Sequence, residues 1–189
     1  MAETPSTMLP LGTSAPPFDL PDTVSGRSLS LEQLKSDKAT VVMFICNHCP
    51  YVKHVLSGLV RLVHDYQPRG VAFVAISSND AKGYPEDSPD KMKQLAARAG
   101  FPFPYLYDQT QDVARAYQAA CTPDFYVFDP ALRLAYRGQL DDARPGNGKP
   151  VTGQDVRAAL DALLAGKTVS PDQKPSVGCN IKWAKTGGR

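Results

Sequence analysis

The segment Cys46–Cys49 constrains this chain more than any other feature of its sequence. Two cysteines with two residues between them directly follow the apolar run 39–45 and precede a helical pattern that begins near Tyr51. The unpaired amides and the dipole at a helix N-terminus stabilise a thiolate, which is the reactive form of cysteine. The spacing also brings both sulfurs close enough to form a disulfide. The segment therefore predicts a redox-active cysteine pair rather than two cysteines that only pack.

The order of the segments around this pair is that of a thioredoxin fold. A buried strand ending at Ile45 is followed by an amphipathic helix over 52–66 and a second strand over 71–76. Strand, helix and strand in this order predict a parallel pair with a right-handed crossover. Further helices are predicted at 88–99, 108–119 and 155–164, and further strands at 124–129 and 132–137. We expect an α/β thioredoxin fold with a central mixed sheet flanked by helices.

The sequence also predicts three features outside this core. Residues 1–10 are polar and lack periodicity, so we expect a flexible N-terminal tail, followed by a single domain over 11–189. Short apolar segments around the turn at 21–26 predict an N-terminal hairpin extension. The polar stretch 79–87 is longer than a bare connection requires and predicts an insertion.

The composition of the 189 residues excludes several classes of protein. Hydrophobic residues make up 42% and charged residues 21%, which excludes wholesale disorder. The formal net charge of +2 is too small to indicate nucleic acid or an anionic membrane as a partner. No secretory signal or membrane-length apolar run is visible. We therefore expect a cytoplasmic protein that acts on protein or small-molecule thiols and disulfides, in an oligomeric state that the sequence leaves open.

Thr122-Pro123 is the second part of the predicted site. It stands just before a predicted strand, where a thioredoxin fold places a cis-proline loop against the active-site sulfurs. We expect this bond to be cis, although cis is the minority state of X–Pro bonds. The backbone of Thr122 would then pair with an extended thiol substrate by strand addition. Pro123 therefore joins the predicted catalytic residues, and Thr122 is the predicted substrate-binding residue.

Six segments spread over nearly the whole chain carry a resemblance to a known family. They are residues 12–21, 44–52, 103–108, 121–124, 136–142 and 178–183. Together they resemble the alkyl hydroperoxide reductase/thiol-specific antioxidant (redoxin) family, in the peroxiredoxin-like subgroup of the thioredoxin superfamily. The resemblance implies a redox-active thioredoxin fold with an N-terminal extension.

One departure from that family bears on the reaction. Peroxiredoxins carry a threonine three residues before the peroxidatic cysteine, but here Met43 stands three before Cys46, and Cys46 three before Cys49. Disulfide exchange does not need that threonine. We therefore predict an oxidoreductase acting on disulfides, with thiol-dependent peroxide reduction as the alternative.

Each candidate side chain has an expected role. We expect Cys46 to attack as the exposed thiolate and Cys49, one turn deeper, to resolve the mixed disulfide. His48 is expected to lower the pKa of Cys46 from its place beside the helix N-terminus, unless it is only a solvated residue of the first turn.

Cys121 and Cys179 are possible additional redox thiols. Cys121 precedes Thr122 and should lie near the pair, but a cysteine is often just a small buried hydrophobe. Cys179 is a resolving thiol if the C-terminal segment folds back over the site, and an inert thiol otherwise.

The four cysteines and His48 leave one non-enzymatic alternative. A metal-binding or metal-delivery protein is possible in chemical terms, because soft thiolates suit Cu(I). Structural zinc sites usually use two closely spaced ligand pairs, whereas this chain has one pair and two distant cysteines. We therefore predict no cofactor and no resident metal.

Overall fold

The computed structural model describes residues 3–185, which form ten strands and five α-helices. The strands are β1 Glu3–Pro5, β2 Asp19–Pro21, β3 Ser28–Ser30, β4 Ala39–Phe44, β5 Val71–Ser77, β6 Tyr105–Tyr107, β7 Cys121–Thr122, β8 Asp124–Phe128, β9 Leu134–Gly138 and β10 Val177–Asn180. The α-helices are α1 Leu31–Leu34, α2 Pro50–Tyr66, α3 Pro89–Ala99, α4 Asp112–Ala116 and α5 Gln154–Leu164. Two short 3₁₀ helices span Gln67–Arg69 and Pro85–Asp87.

The central sheet has the strand order β6-β5-β4-β8-β9, with β4 in the middle. β4 runs parallel to β5 and antiparallel to β8, so the sheet is mixed. Alternate residues of β4 pack into two apolar clusters on opposite faces, Val41 and Met43 with α2 and α5, and Val42 and Phe44 with α4. Burial on both faces explains why β4 is a continuous apolar run. The thioredoxin fold predicted from the sequence is confirmed.

Helix α2 begins one residue after the second cysteine of the pair. Pro50 occupies the first helical position, where its missing N–H costs no hydrogen bond, and Cys49 is the N-cap. One face of α2, including Val52, Leu59 and Leu62, is buried against the sheet. None of the helices within residues 3–185 combines the length and hydropathy needed to cross a membrane.

Most predicted elements agree with the structure. The four strands predicted for the central sheet and the β2–β3 hairpin are confirmed, and β6 adds a fifth strand at one edge. The helix predicted over 108–119 is shorter, because Gln111 adopts the left-handed region with φ 66° directly before α4 begins.

Both ends of the described chain meet in a second sheet that the sequence did not predict. β1 pairs with β10, and β10 pairs with β7 in the cis-proline loop, both antiparallel. The expectation of a flexible tail is therefore wrong for residues 3–5, whose backbone completes a sheet edge. Residues 1–2 and 186–189 lie outside the described residues, and the boundary of the single domain over 11–189 stays a prediction.

Glycine 178 allows this second sheet to form beside the cis-proline loop. A Cβ atom at Gly178 would collide with the carbonyl oxygen of Thr122. Because glycine lacks that atom, β10 can approach the backbone of β7 closely. The C-terminal segment is thereby packed against the predicted active site.

Candidate active site

Three cysteines lie together where α2 begins. Cys46 is in the loop before the helix, Cys49 is its N-cap, and Cys179 is on β10. All three belong to one buried cluster, and their exposed fractions are 1%, 0% and 2%. The expectation that Cys46 is exposed is therefore wrong, because the cis-proline loop and β10 cover the pair.

The cis-proline loop touches both cysteines of the pair. The Thr122–Pro123 peptide bond is cis, as predicted. The sulfur of Cys49 lies 3.3 Å from the backbone oxygen of Thr122, and the sulfur of Cys46 lies 3.5 Å from the Thr122 hydroxyl. Thr122 is thus confirmed as a neighbour of the sulfurs.

The backbone of Thr122 is not open to an extended substrate. In the register of the second sheet, Thr122 stands opposite Cys179 of β10. Of the two alternatives for the C-terminal segment, the folded-back one is observed. The expected addition of a substrate strand at Thr122 is therefore wrong in this structure, because the chain's own strand already occupies that edge.

The pKa values of Cys46 and Cys49 move in opposite directions. The pKa of Cys49 is lowered to about 5, mainly because the Cys46 thiol donates to its sulfur; burial opposes this, and the Cys179 thiol and the Val52 amide add to it. The pKa of Cys46 is raised, first by that same hydrogen bond to Cys49, then by burial and the Asp87 carboxylate. These directions favour the thiolate on Cys49, whereas the sequence leads us to expect it on Cys46.

Asp87 anchors the loop that carries the pair. This carboxylate is fully buried and accepts hydrogen bonds from the backbone amides of Asn47 and His48 at 2.7 and 3.3 Å. It also bonds His48 Nδ1 at 2.5 Å and accepts from the Asn79 side chain at 2.8 Å. Asp87 ends the predicted insertion over 79–87, so that insertion fixes the geometry of the active-site loop.

His48 is therefore held in place rather than solvated. Its ring is stacked on Tyr84, with centroids 5.5 Å apart and planes 5° from parallel, and its side chain is 12% exposed. Because Asp87 engages Nδ1, the ring nitrogen left for other partners is Nε2. The neighbouring charges that shift the pKa of Cys46 are those of Asp87 and Cys49, and both raise it. His48 is not among the main causes of the Cys46 shift, and its expected effect on that pKa stays a prediction.

Cys121 lies on the other side of the cis-proline loop. Among residues 3–185, its sulfur makes hydrogen-bond contacts with the backbone oxygens of Pro123 and Ser176, both at 3.9 Å. Burial and the nearby Asp124 carboxylate raise its pKa above the ordinary value. The structure therefore gives Cys121 the environment of a packed, protonated thiol.

A group of possible metal ligands overlaps the site. Ligand atoms of Cys46, His48 and Asp87 lie within 4.8 Å of one another. The carboxylate of Asp87 already has four N–H partners, from Asn47, His48 and Asn79. A metal ion would have to displace some of them, so this donor set fits a hydrogen-bonded anchor better than a metal site.

A cavity of about 690 Å³ opens beside His48. It is lined by His48, Gly83, Tyr84, Pro85, Glu86, Asn180 and Lys182. Asp87, Tyr84 and Lys182 are residues that the sequence did not single out. The unusual length of the loop over 79–87 was the one signal that pointed towards the first two.

Comparison with known proteins agrees with this architecture. Residues 11–137 match the model of the AhpC/TSA family. An uncharacterized conserved protein from Geobacillus kaustophilus is 63% identical, with a TM-score of 0.97 and 98% of each chain covered. A hypothetical protein from Sinorhizobium meliloti is 49% identical, with a TM-score of 0.94, over 96% of this chain and 99% of that one.

A more distant match shows the fold alone. The thioredoxin domain of a thiol-disulfide oxidoreductase from Bacteroides vulgatus is 18% identical, with a TM-score of 0.62, over 79% of this chain and 97% of that one. A search of curated proteins gives no match. The family model covers well over half of the chain, and the chain therefore belongs to the AhpC/TSA family, in the thioredoxin-like group of oxidoreductases.

Proposed function

We propose that this protein is a thiol–disulfide oxidoreductase in which Cys49 attacks and Cys46 resolves. The observation that carries the proposal is the position of Cys49, which caps α2 and has a pKa lowered to about 5. A cysteine with this pKa is a thiolate at neutral pH, and the thiolate is the form that attacks a disulfide.

In the first step, the Cys49 thiolate attacks one sulfur of the substrate disulfide. A bond forms between Cys49 Sγ and that sulfur, the substrate S–S bond breaks, and the other half leaves as a thiolate. The product is a mixed disulfide between Cys49 and the first half of the substrate.

In the second step, Cys46 releases the substrate. The Cys46 proton passes to the thiolate released in the first step, which then leaves as a thiol. Asp87, bonded to His48 Nδ1 and to the backbone amides of Asn47 and His48, holds the loop between the two cysteines in place for the attack. Cys46 then attacks Cys49 Sγ, the Cys46–Cys49 disulfide forms, and the remaining half leaves as a thiolate. Two electrons have then moved from the cysteine pair to the substrate.

Cys179 is placed to act as a second resolving thiol. Like Cys46, it acts as a hydrogen-bond donor that lowers the pKa of Cys49, and its own pKa is raised to about 12, mainly by burial. We propose that Cys179 can also attack Cys49 Sγ, which exchanges the Cys46–Cys49 disulfide for a Cys49–Cys179 disulfide without net oxidation.

Peroxide reduction is the second candidate, and the low pKa of Cys49 supports it as well. The Cys49 thiolate would take one oxygen from the peroxide to form a sulfenic acid, and Cys46 would condense with it to a disulfide and water. The residue three before Cys49 is Cys46 instead of the threonine of peroxiredoxins, so disulfide exchange is the first choice. The metal-binding alternative ranks last because the hydrogen bonds of Asp87 are already made.

One comparison tests the choice of reaction. Disulfide reduction and peroxide consumption are measured side by side for the wild type, Cys49→Ser, Cys46→Ser and the matched control Cys121→Ser. We expect Cys49→Ser to lose disulfide reduction, Cys46→Ser to accumulate a mixed disulfide on Cys49, and Cys121→Ser to behave as the wild type. Fast peroxide turnover without disulfide reduction would overturn the proposal.

The partners and the cellular compartment of this protein stay predictions. The formal net charge of +2 supports a protein without nucleic-acid or membrane partners. We propose the cytoplasm as the compartment, where cysteines are kept reduced.

A further inference from the structure

The first observation concerns the edge at which a polypeptide would bind. Strand β10 pairs with β7, and Cys179 stands opposite Thr122. An extended polypeptide binds by adding a strand to such an edge, and its own sulfur would lie where Cys179 now lies. Because the chain fills this position itself, the structure favours a substrate smaller than an extended polypeptide.

The second observation is the cavity on the His48 side of the site. Its volume of about 690 Å³ is within the range of small-molecule sites. His48 forms part of its wall, and a ring nitrogen of His48 lies within 4.8 Å of the Cys46 sulfur, so the cavity lies on the Cys46 side of the cysteine pair. Tyr84, stacked on His48, gives the cavity an aromatic wall.

The third observation is a buried cation in that wall. Lys182 is only 7% exposed, and lysine is almost never so buried unless it is paired. Its Nζ donates to the backbone oxygen of Asn180 at 2.9 Å and to the side-chain oxygen at 2.7 Å. None of the ion pairs within residues 3–185 includes Lys182. An ammonium has three N–H donors, so one donor is left for a ligand, and the nearest partner for the charge is the face of the Tyr84 ring, 5.8 Å from Nζ.

We propose that the cavity binds the carboxylate of a small anionic thiol or of its disulfide, with Lys182 as the anion-binding residue. The inference rests on the proposed function and names the substrate class for it. The carboxylate accepts a hydrogen bond from the third N–H of Lys182. The rest of the ligand packs against the stacked rings of His48 and Tyr84, on the Cys46 side of the cysteine pair. Glu86, exposed at the rim, is the one acidic residue of the lining and opposes an anion.

Three small disulfides of similar length test this class. Dithiodipropionate carries two carboxylates, bis(hydroxyethyl) disulfide is neutral, and cystamine carries two ammonium groups. We expect the wild type to have its highest kcat/KM with dithiodipropionate. A hydrogen bond to a charged group strengthens binding by a factor of roughly ten to a hundred. Lys182→Met should therefore lower the kcat/KM for the dianion, relative to that for the neutral disulfide, by about the same factor. The change should appear in KM.

Two further variants separate charge from structure. Lys182→Arg keeps the charge and should keep most of the preference for the dianion. Glu86→Gln removes the opposing charge and should strengthen that preference. Thermal unfolding of each variant shows whether the fold is intact. If Lys182→Met leaves the ratio unchanged, for example because the reduction of all three disulfides slows equally, the proposal is wrong. Lys182 then acts only through the electrostatic effect of its charge on the cysteine thiols.

A redox-inert probe distinguishes the site from the reaction. Suberate has the length and charges of dithiodipropionate but no sulfur, and its binding is measured by calorimetry against octanediol. We expect suberate to bind the wild type and to bind Lys182→Met about tenfold or more weakly. If the protein turns over no disulfide yet binds suberate through Lys182, the anion site stands and the proposed function fails. Equal binding to both proteins overturns the anion site, whatever the enzyme does.

Discussion

Cys49 and Cys121 are equally buried on the two sides of one cis-proline loop, yet their thiols differ. Each is 0% exposed. The pKa of Cys49 is lowered to about 5, whereas burial raises that of Cys121. Burial penalises the charged form at both positions, so the hydrogen-bond donors around each sulfur decide the outcome. Cys49 has two thiols, a backbone amide and a hydroxyl as donors, while Cys121 faces backbone oxygens and a carboxylate.

The surroundings of Cys121 are those of a structural region. Asp124 and Arg137 form an ion pair at 3.0 Å with both side chains fully buried. Burial raises the pKa of Asp124 to about 6 despite the neighbouring guanidinium, which also lies over the Tyr126 ring at 4.6 Å. The two sides of the loop therefore differ: the Cys49 side holds the thiol that we propose as the nucleophile, and the Cys121 side holds a buried ion pair.

The largest expected effect separates the two cysteines by activity. Cys49→Ser should lower disulfide reduction by at least roughly a thousandfold, because it removes the proposed nucleophile. Steady-state rates with a small disulfide, together with the unfolding midpoint, check this. The contrast between Cys49 and Cys121 is wrong if Cys121→Ser causes the same loss of disulfide reduction while the protein stays folded.

The next effect concerns stability on the Cys121 side. Asp124→Ala should destabilise the protein by about 3–5 kcal/mol, because Arg137 would be left buried without a counter-charge. Urea denaturation measures the change. Replacing both partners, as in Asp124→Leu with Arg137→Met, should cost much less, because no charge is then left unpaired. Equal destabilisation by the single and the double change would show that the ion pair itself is not the cause.

The third prediction concerns the pH dependence of Cys49. Its alkylation, followed by mass mapping of the modified peptide, should be lost as the pH falls through about 5, because the thiolate becomes protonated there. Cys46→Ala removes the largest cause of the low pKa and should move this midpoint upwards by about one unit or more. A midpoint near the ordinary value of 9.0 in the wild type would contradict the assignment of Cys49 as the thiolate.

The smallest effect is expected for the packed thiol. Cys121→Ala removes one buried sulfur and should cost about 1 kcal/mol of stability, with the rate of disulfide reduction unchanged within about twofold. The same urea and rate measurements serve here. A large loss of rate would mean that Cys121 belongs to the reacting set.

The course of the chain around the site was largely predictable. A continuous apolar run such as 39–45 is typical of a strand buried on both faces, and the periodic pattern of α2 predicts an amphipathic crossover helix. Pro50 carried a further signal, because proline favours the first position of a helix and so places Cys49, not Cys46, at the N-cap. Strand β10 has no such pattern, since its four residues are ordered by pairing with other strands.

The sequence by itself determined a cysteine pair between a buried strand and a helix, and a cis-proline loop that returns to it. Only the tertiary structure brings together the groups that make one of the two sulfurs the better thiolate. The groups that set the two pKa values come from distant parts of the chain: Asp87 from the long loop before α3, Thr122 from the cis-proline loop and Cys179 from the C-terminal strand. A pKa depends on distances to donors and charges in space, and a local sequence pattern does not contain those distances.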